Sequence, residues 1–243
     1  TNWLRAVIFA QCLTDQQLGR FENRFSTTLL QLYGMTETMA PPLMNPLYGR
    51  IHNQTIGLPT AANRVRIVAD GGSDALPGES GELLVGGVAG ETLMTGYLDD
   101  EQATAETIVD GWLRTGDLGQ LDDEGRLILV GRAKDLILRG GYNVHPAEVE
   151  DVVASYPGVR EVAVVGRPDA MLGEEVVAVV VADATFDRGG LDAFLRARLS
   201  GSKRPRECVE VEALPVGRSR KVLLRTLREQ LVRGELVATR LTK

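Results

Sequence analysis

The sequence is poor in the residues that build metal cages and disulfide frameworks. Its 243 residues include two cysteines, Cys12 and Cys208, and two histidines, His52 and His145, each far from its twin. Two distant thiols argue against a disulfide scaffold or a cysteine-rich zinc site, and isolated imidazoles argue against a histidine-based one. No run reaches the 18 or more apolar residues of a membrane span, and no basic-then-apolar signal segment opens the chain. A cytoplasmic location is the default expectation. The net charge of −6 disfavours nucleic acid as a bulk partner. An initiator methionine is also lacking: Thr1-Asn2-Trp3 runs straight into an apolar stretch, so a piece of something longer is expected.

What is present is unevenly placed. Between Arg196 and Arg228 lie Arg198, Lys203, Arg204, Arg206, Arg218, Arg220, Lys221 and Arg225, against only Glu207, Glu210 and Glu212. Two readings stand: a site for a compact phosphate-bearing ligand, or a solvated helix face with loop charges.

The patterning divides the chain. Leu4 to Ala10 reads as a short buried strand, and Thr14-Asp15 as the cap of a helix with Leu18, Phe21 and Phe25 at helical spacing. Leu29 to Tyr33 reads as a strand ending at Gly34. Pro41, Pro42, Pro46 and Pro59 make residues 40–60 loop-like. From Arg64 the signal is β, with strands at 64–69 and 81–86, a short helix at 99–108, and a hairpin of 118–121 with 126–130 around Asp122-Asp123-Glu124-Gly125. Beyond about residue 132 helices and strands alternate in a small α+β unit. Pro146 opens one helix, with His145 as a cap residue and Glu148 and Glu150 as N-terminal carboxylates. Strands follow at 159–165 and 175–181, a helix at 190–199, a strand at 209–211 and a last helix over 221–232. Cys12 and Cys208 read as packed thiols.

Three stretches carry chemistry. Tyr33-Gly34-Met35-Thr36-Glu37-Thr38 offers an aromatic ring, a flexible turn, a hydroxyl and a carboxylate, the parts that hold a nucleotide and its Mg²⁺. Trp112-Leu113-Arg114-Thr115-Gly116-Asp117 puts a carboxylate at a strand entrance, suited to a ribose diol or to an ordinary turn. Gly131-Arg132-Ala133-Lys134-Asp135, continuing to Gly140-Gly141-Tyr142-Asn143, is a junction or a plain hairpin and tight turn.

Taken in order with Gly81-Glu82-Leu83, Gly96-Tyr97, Val144-His145-Pro146-Ala147-Glu148-Val149-Glu150 and Lys221, these stretches resemble the adenylate-forming superfamily. That superfamily includes acyl- and aryl-CoA ligases, carrier-protein adenylation domains and luciferases. The resemblance implies a multidomain α+β and α/β fold. Residues 1–131 would be the C-terminal part of a large adenylation core with a β-barrel-like subdomain, and 132–243 a mobile lid hinged near Lys134. It implies that Tyr33 stacks on adenine beside Gln31 and Gly34, that Thr36 touches the α-phosphate, and that Glu37 holds Mg²⁺. Asp117, helped by Arg132, would take the ribose, and Lys221 would reach the carboxylate and α-phosphate. Gly140 and Gly141 would edge the pantetheine channel. Lys203, Arg204 and Arg206 are expected to meet CoA phosphates, and Leu32, Met39 and Ala40 to lie near the acyl group.

The implied reaction joins a small carboxylic acid to CoA through an acyl adenylate, with ATP/AMP, Mg²⁺ and coenzyme A as cofactors. Benzoate-type and medium-chain ligases are the nearest in look. Loading of a carrier-protein phosphopantetheine, or a folded module that only binds AMP, are the alternatives. The sequence departs from the family where Ser219-Arg220 precedes Lys221 in place of a glycine, and where Ala10-Gln11-Cys12-Leu13 replaces Gly-Gly-Ala-Pro. No phosphate loop ending in Pro-Lys-Gly is present, so the N-terminal part of the site is expected to be missing and the chain alone inactive.

Overall fold

The computed structural model describes residues 4–10, 13, 15–49, 51–218 and 221–241. Gln11, Cys12, Thr14, Ser219 and Arg220, all used above, lie outside the described residues. The chain divides into two compact units, residues 1–133 and 134–243.

The first unit opens with β1 (Ala6–Phe9), α1 (Asp15–Phe25) and β2 (Thr28–Tyr33). The strands pair in parallel, Ala6 opposite Thr28, which requires a crossover and explains the intervening helix. Phe21 and Phe25 of α1 touch, with ring centroids 4.6 Å apart. The run from Leu4 to Ala10 is not buried as expected: Leu4, ahead of β1, is 58% exposed and Ile8, within it, 56%. Strand β1 lies at an edge of its sheet and pairs only with β2 among the described residues.

Residues 40–60 are less irregular than their prolines indicate. The two-residue strands β3 (Leu43–Met44) and β4 (Leu58–Pro59) extend the first sheet to β1-β2-β3-β4. Buried Asn45 organises this segment, donating to the carbonyls of His52 and Thr55 and accepting from the His52 N–H.

An antiparallel sheet follows, built from β5 (Arg64–Val68), β6 (Gly81–Gly86), the short helix α2 (Glu101–Thr107), β7 (Ile108–Val109), β8 (Trp112–Leu121) and β9 (Leu127–Arg132). Its order is β5-β6-β8-β7, with β9 also on β8. Strand β8 begins at Trp112, six residues before the expected start. Thr115-Gly116-Asp117 therefore lies inside a strand, not at its entrance. Opposite β6 the register jumps from Leu84–Arg114 to Glu82–Leu118, so β8 bulges there, and Gly116 supplies the positive φ (69°) that the bulge needs. Tyr33, Leu43, Ile56, Ile67, Leu83 and Leu127 form the core joining the two sheets.

The second unit contains β10 (Ile137–Arg139), β11 (Tyr142–Val144), α3 (Pro146–Ala154), β12 (Val159–Asp169), β13 (Gly173–Ala182), α4 (Arg188–Arg196), β14 (Glu207–Glu210), α5 (Leu224–Arg233) and β15 (Thr239–Arg240). Strand β13 is central: it pairs antiparallel with β12, parallel with β14, and at Gly173 with Arg139 of β10. Its Val176, Ala178 and Val180 face a core shared with α3 and α4, while Val177 and Val179 face one shared with α5. That two-sided burial explains its unbroken apolar run.

Pro146 opens α3 as expected, but His145 ahead of it makes no side-chain cap bond, and its Nδ1 is buried without a hydrogen-bond partner. Glu150 does not serve the helix N-terminus; its carboxylate accepts the Val164 N–H of β12 at 2.8 Å. Helix α5 starts at Leu224, so Lys221 precedes it. Lys221 lies on a small ribbon in which Val216 bridges Val222, and its carbonyl accepts the Gly217 N–H. No helix among the described residues is long and apolar enough to cross a membrane.

Candidate functional site

In the first unit the bulge of β8 turns Asp117 inward. Thr115 locks it: the hydroxyl donates to the Leu83 carbonyl at 2.7 Å and accepts the Asp117 N–H at 3.1 Å. Asp117 is 5% exposed. Its Oδ2 accepts the Tyr33 hydroxyl at 2.5 Å, and its Oδ1 meets Arg132 Nε at 2.9 Å. Arg132 stands directly opposite it on β9, so the pairing is set by strand register. A carboxylate oxygen carries two lone pairs, which leaves one on each oxygen for a vicinal diol.

Tyr33 ends β2 and is 7% exposed, its ring packed in the core. Burial, with the Asp117 charge second, holds its phenol far above the ordinary value, so it remains a donor. Stacking on a base, expected of this ring, is confined to the small part of its surface left open. Gln31, two residues earlier, is buried too; its N–H donates to Asn53 Oδ1 and its carbonyl accepts from the Asn45 N–H.

Gly34 leads into a single 3-10 turn at Thr36–Thr38. A side chain at Gly34 would stand 3.4 Å from Pro41 Cα and 3.6 Å from Thr38 Oγ1, so the turn is tight. Thr38 is fully buried, and its hydroxyl donates to the Met35 carbonyl and accepts the Met35 N–H. Thr36 is exposed and Glu37 half-buried. Glu37 Oε1 accepts the Tyr97 hydroxyl at 2.9 Å, and the Glu37 carbonyl accepts the Met94 N–H. Burial and Glu37 both raise the Tyr97 phenol above its usual value. Met39 follows at a positive φ of 47° and is 59% exposed. Leu32 is half-buried and Ala40 exposed. Thr115 and Tyr97 were not singled out as site residues by the sequence. Among the described residues no three metal-ligating side chains converge, but Mg²⁺ commonly takes one or two carboxylates and completes its shell with phosphate oxygens and water. Glu37 fits that role.

The second unit carries the other expected residues. Lys134 begins it, its carbonyl 3.4 Å from Arg228 Nη1, with the Asp135 carbonyl accepting Nη2 at 3.1 Å. Gly140 and Gly141 form the β10–β11 turn with φ of 57° and 81°. A Cβ at Gly141 would meet nothing within 4 Å, and one at Gly140 only Leu172. The turn's two positive φ angles therefore account for both glycines within this unit.

Lys203 is engaged by Glu148 of α3 at 2.7 Å, an exposed pair worth little. Arg204 and Arg206 line a cavity of about 210 Å³ with Arg196 and Arg240. The acids at its wall are largely committed: Glu175 to Arg139, Glu207 to Arg167, and Asp169 to the N–H groups of Met171 and Leu172. Arg204 Nε is buried without a hydrogen-bond partner, 3.8 Å from Asp192. Arg206 and Arg240 have no ion pair among the described residues. Arg196 is itself paired with Asp192 at 2.7 Å, so Arg206 and Arg240 are the cations this wall leaves over for an anion. Lys221 is exposed.

Comparison with known proteins decides the family. The AMP-binding enzyme model matches residues 2–98, and the AMP-binding enzyme C-terminal domain model matches residues 148–221. The chain belongs to the AMP-binding, adenylate-forming enzyme family. Within it, the 4-chlorobenzoate–CoA ligase of an Arthrobacter species is 44% identical over 93% of this chain and 43% of its own length. The long-chain-fatty-acid–CoA ligase of Salmonella typhimurium is 41% identical over 86% of this chain and 36% of its own length. ATP-bound MatB from Rhodopseudomonas palustris superimposes with a TM-score of 0.85 at 32% identity, over 93% of this chain and 45% of MatB. The chain thus spans less than half the length of these AMP-binding relatives.

Proposed function

We propose that this chain is the ribose-binding and lid portion of an ATP-dependent acid–thiol ligase that makes an acyl adenylate and then a CoA thioester. The observation that carries the reading is Asp117, held between Tyr33 and Arg132 with free lone pairs, in a chain 44% identical to an aryl-CoA ligase. Gln31, Tyr33 and Gly34 form the nucleotide side of the site, and Asp117 with Arg132 takes the ribose hydroxyls. Thr36 donates to the α-phosphate. Glu37, oriented by Tyr97, holds Mg²⁺, which when bound offsets phosphate charge. Leu32, Met39 and Ala40 face the acyl group, and their character fits an apolar acid.

Expelling pyrophosphate piles negative charge around the α-phosphate, and a preorganised ammonium there lowers the barrier. Lys221 supplies it. Residues 134–243 act as a lid pivoting at Lys134, so Lys221 serves the first step and the Gly140–Gly141 turn edges the thiol's route in the second. Arg204 and Arg206, with Lys203 at the rim, take CoA phosphates in the arginine-lined cavity.

Lys221→Ala in the full-length protein should slow adenylation by roughly 10²–10³, the scale for losing one preorganised donor. Thioester formation from supplied acyl adenylate should change far less. Equal damage to both steps would overturn the two-position lid. The alternative, loading of a carrier protein, predicts transfer to a phosphopantetheinylated carrier in preference to CoA. The arginine cavity favours CoA, whose nucleotide phosphates a carrier-bound pantetheine lacks.

A further inference from the structure

Among the described residues of the second unit Arg139 is the most deeply buried cation, 3% exposed, and the nucleotide, lid and phosphate roles leave it unused. It closes β10, one residue before the Gly140–Gly141 turn. Its Nη2 meets both oxygens of Glu175, at 2.9 and 3.2 Å. Its Nη1 points the other way, into a ring of three backbone carbonyls: Gly201 at 2.9 Å, Ser202 at 2.8 Å and Arg204 at 3.2 Å.

Those carbonyls belong to the segment between α4 and β14, which carries Lys203, Arg204 and Arg206. Side chains anchor its second half, Lys203 to Glu148 at 2.7 Å and Arg204 3.8 Å from Asp192, and the Arg206 carbonyl accepts the Leu241 N–H, but among the described residues no other donor meets the Gly201, Ser202 and Arg204 carbonyls. Lys203 and Arg204 N–H both donate to the Ser200 carbonyl at 3.1 Å, and the Ser200 and Ser202 hydroxyls lie 3.3 Å apart. Gly201 packs against nothing that a Cβ would reach. One guanidinium therefore gathers carbonyls that would otherwise repel one another and diverge.

A buried ion pair is poor evidence for stability, because desolvation offsets the attraction. Its attested use is to fix one arrangement among several, and the planar fork of arginine suits that task. A lysine in its place offers a single nitrogen, unable to hold Glu175 and the carbonyl ring at once.

We propose that Arg139 is a positioning residue for the thiol substrate: it sets the 200–204 turn so that Arg204 and Arg206 face the anion cavity. It also ties that turn to β10, which leads into the Gly140–Gly141 turn, so the phosphate grip and the channel edge keep a fixed spacing. The inference rests on the CoA-ligase reading.

The test uses two variants of the full-length protein. Arg139→Lys keeps the charge and loses the fork. Arg139→Met with Glu175→Gln removes both charges, so no lone buried carboxylate is left to unfold the unit. Two readouts are taken on each: hydrogen exchange of the Lys203 and Arg204 amides, which donate to the Ser200 carbonyl, without substrates, and the KM for CoA beside acid-dependent pyrophosphate exchange. Both variants should exchange faster at 203 and 204 and show a KM for CoA raised about 10- to 100-fold, the scale of a misplaced binding group. Pyrophosphate exchange should stay within about twofold, since adenylation does not use this turn. Unaltered protection of 203 and 204, or an unaltered KM for CoA, overturns the proposal. A wild-type protein that forms acyl adenylate yet ignores CoA overturns the ligase reading instead, and the exchange of 203 and 204 then decides the role of Arg139.

Discussion

Burying a carboxylate as deeply as Asp117 is costly unless donors meet it, and here a phenol, a guanidinium and a bulge supply them. Tyr33→Phe keeps the ring's packing and removes one donor. The folded chain should lose about 1.5–3 kcal/mol, the range for a hydrogen bond to a charged group, read as a lower urea midpoint. The KM for ATP of the full-length protein should rise as well. An unshifted midpoint would show the hydroxyl to be idle. Asp117, Arg132, Tyr33 and Glu37 were picked out in the sequence as candidates through the ordered motifs that resemble the adenylate-forming superfamily, and the structure brings the first three into contact. Thr115 and Tyr97 were not, because a hydroxyl acts through the register of a bulge or the reach of a loop. The trace of the first was the spacing Thr-Gly-Asp, which reads equally well as a turn.

Among the elements, α3 packs through Val149 and Val153 and also meets β12 through Glu150. Burial pushes this carboxyl up to about 6 from an ordinary 4.5. Between those values the native state holds a proton that the unfolded chain has released, so stability falls as pH rises from about 4.5 to 6 and is level above. The loss should be on the order of 1–2 kcal/mol. Glu150→Gln keeps an acceptor for the Val164 N–H and removes the charge. Thermal melts of this variant should lack the decline and exceed wild type by a few degrees at pH 7.5; parallel curves would refute the linkage.

Element boundaries were legible where chemistry marks them: Pro146 sits at the start of α3, and Gly81 and Gly86 bracket β6. The start of α5 was not. Its N-cap Leu223 makes no side-chain bond, so the leucine periodicity ran back to Lys221 without a stop signal. Strand β8 was clipped for the opposite reason, since Gly116 signals a break that the bulge absorbs.

At the scale of the whole molecule, each unit's core is made from its own residues. Among the described residues, the clusters around β13 draw on residues after 134, and those around Tyr33 and Val85 on residues before 133. The division was foreshadowed in the sequence by the change from β-rich to alternating patterns near residue 132. A polypeptide of residues 134–243 should accordingly fold alone, with dispersed amide resonances and a cooperative melt. A molten, non-cooperative product would mean that its two cores are not self-sufficient. The first unit is less well covered. With Ile8 56% exposed on β1, which pairs only with β2 among the described residues, concentrated solutions of the present chain should self-associate edge to edge. Ile8→Lys should raise the concentration at which light scattering sets in, making solubility a direct gauge of that open β1 rim.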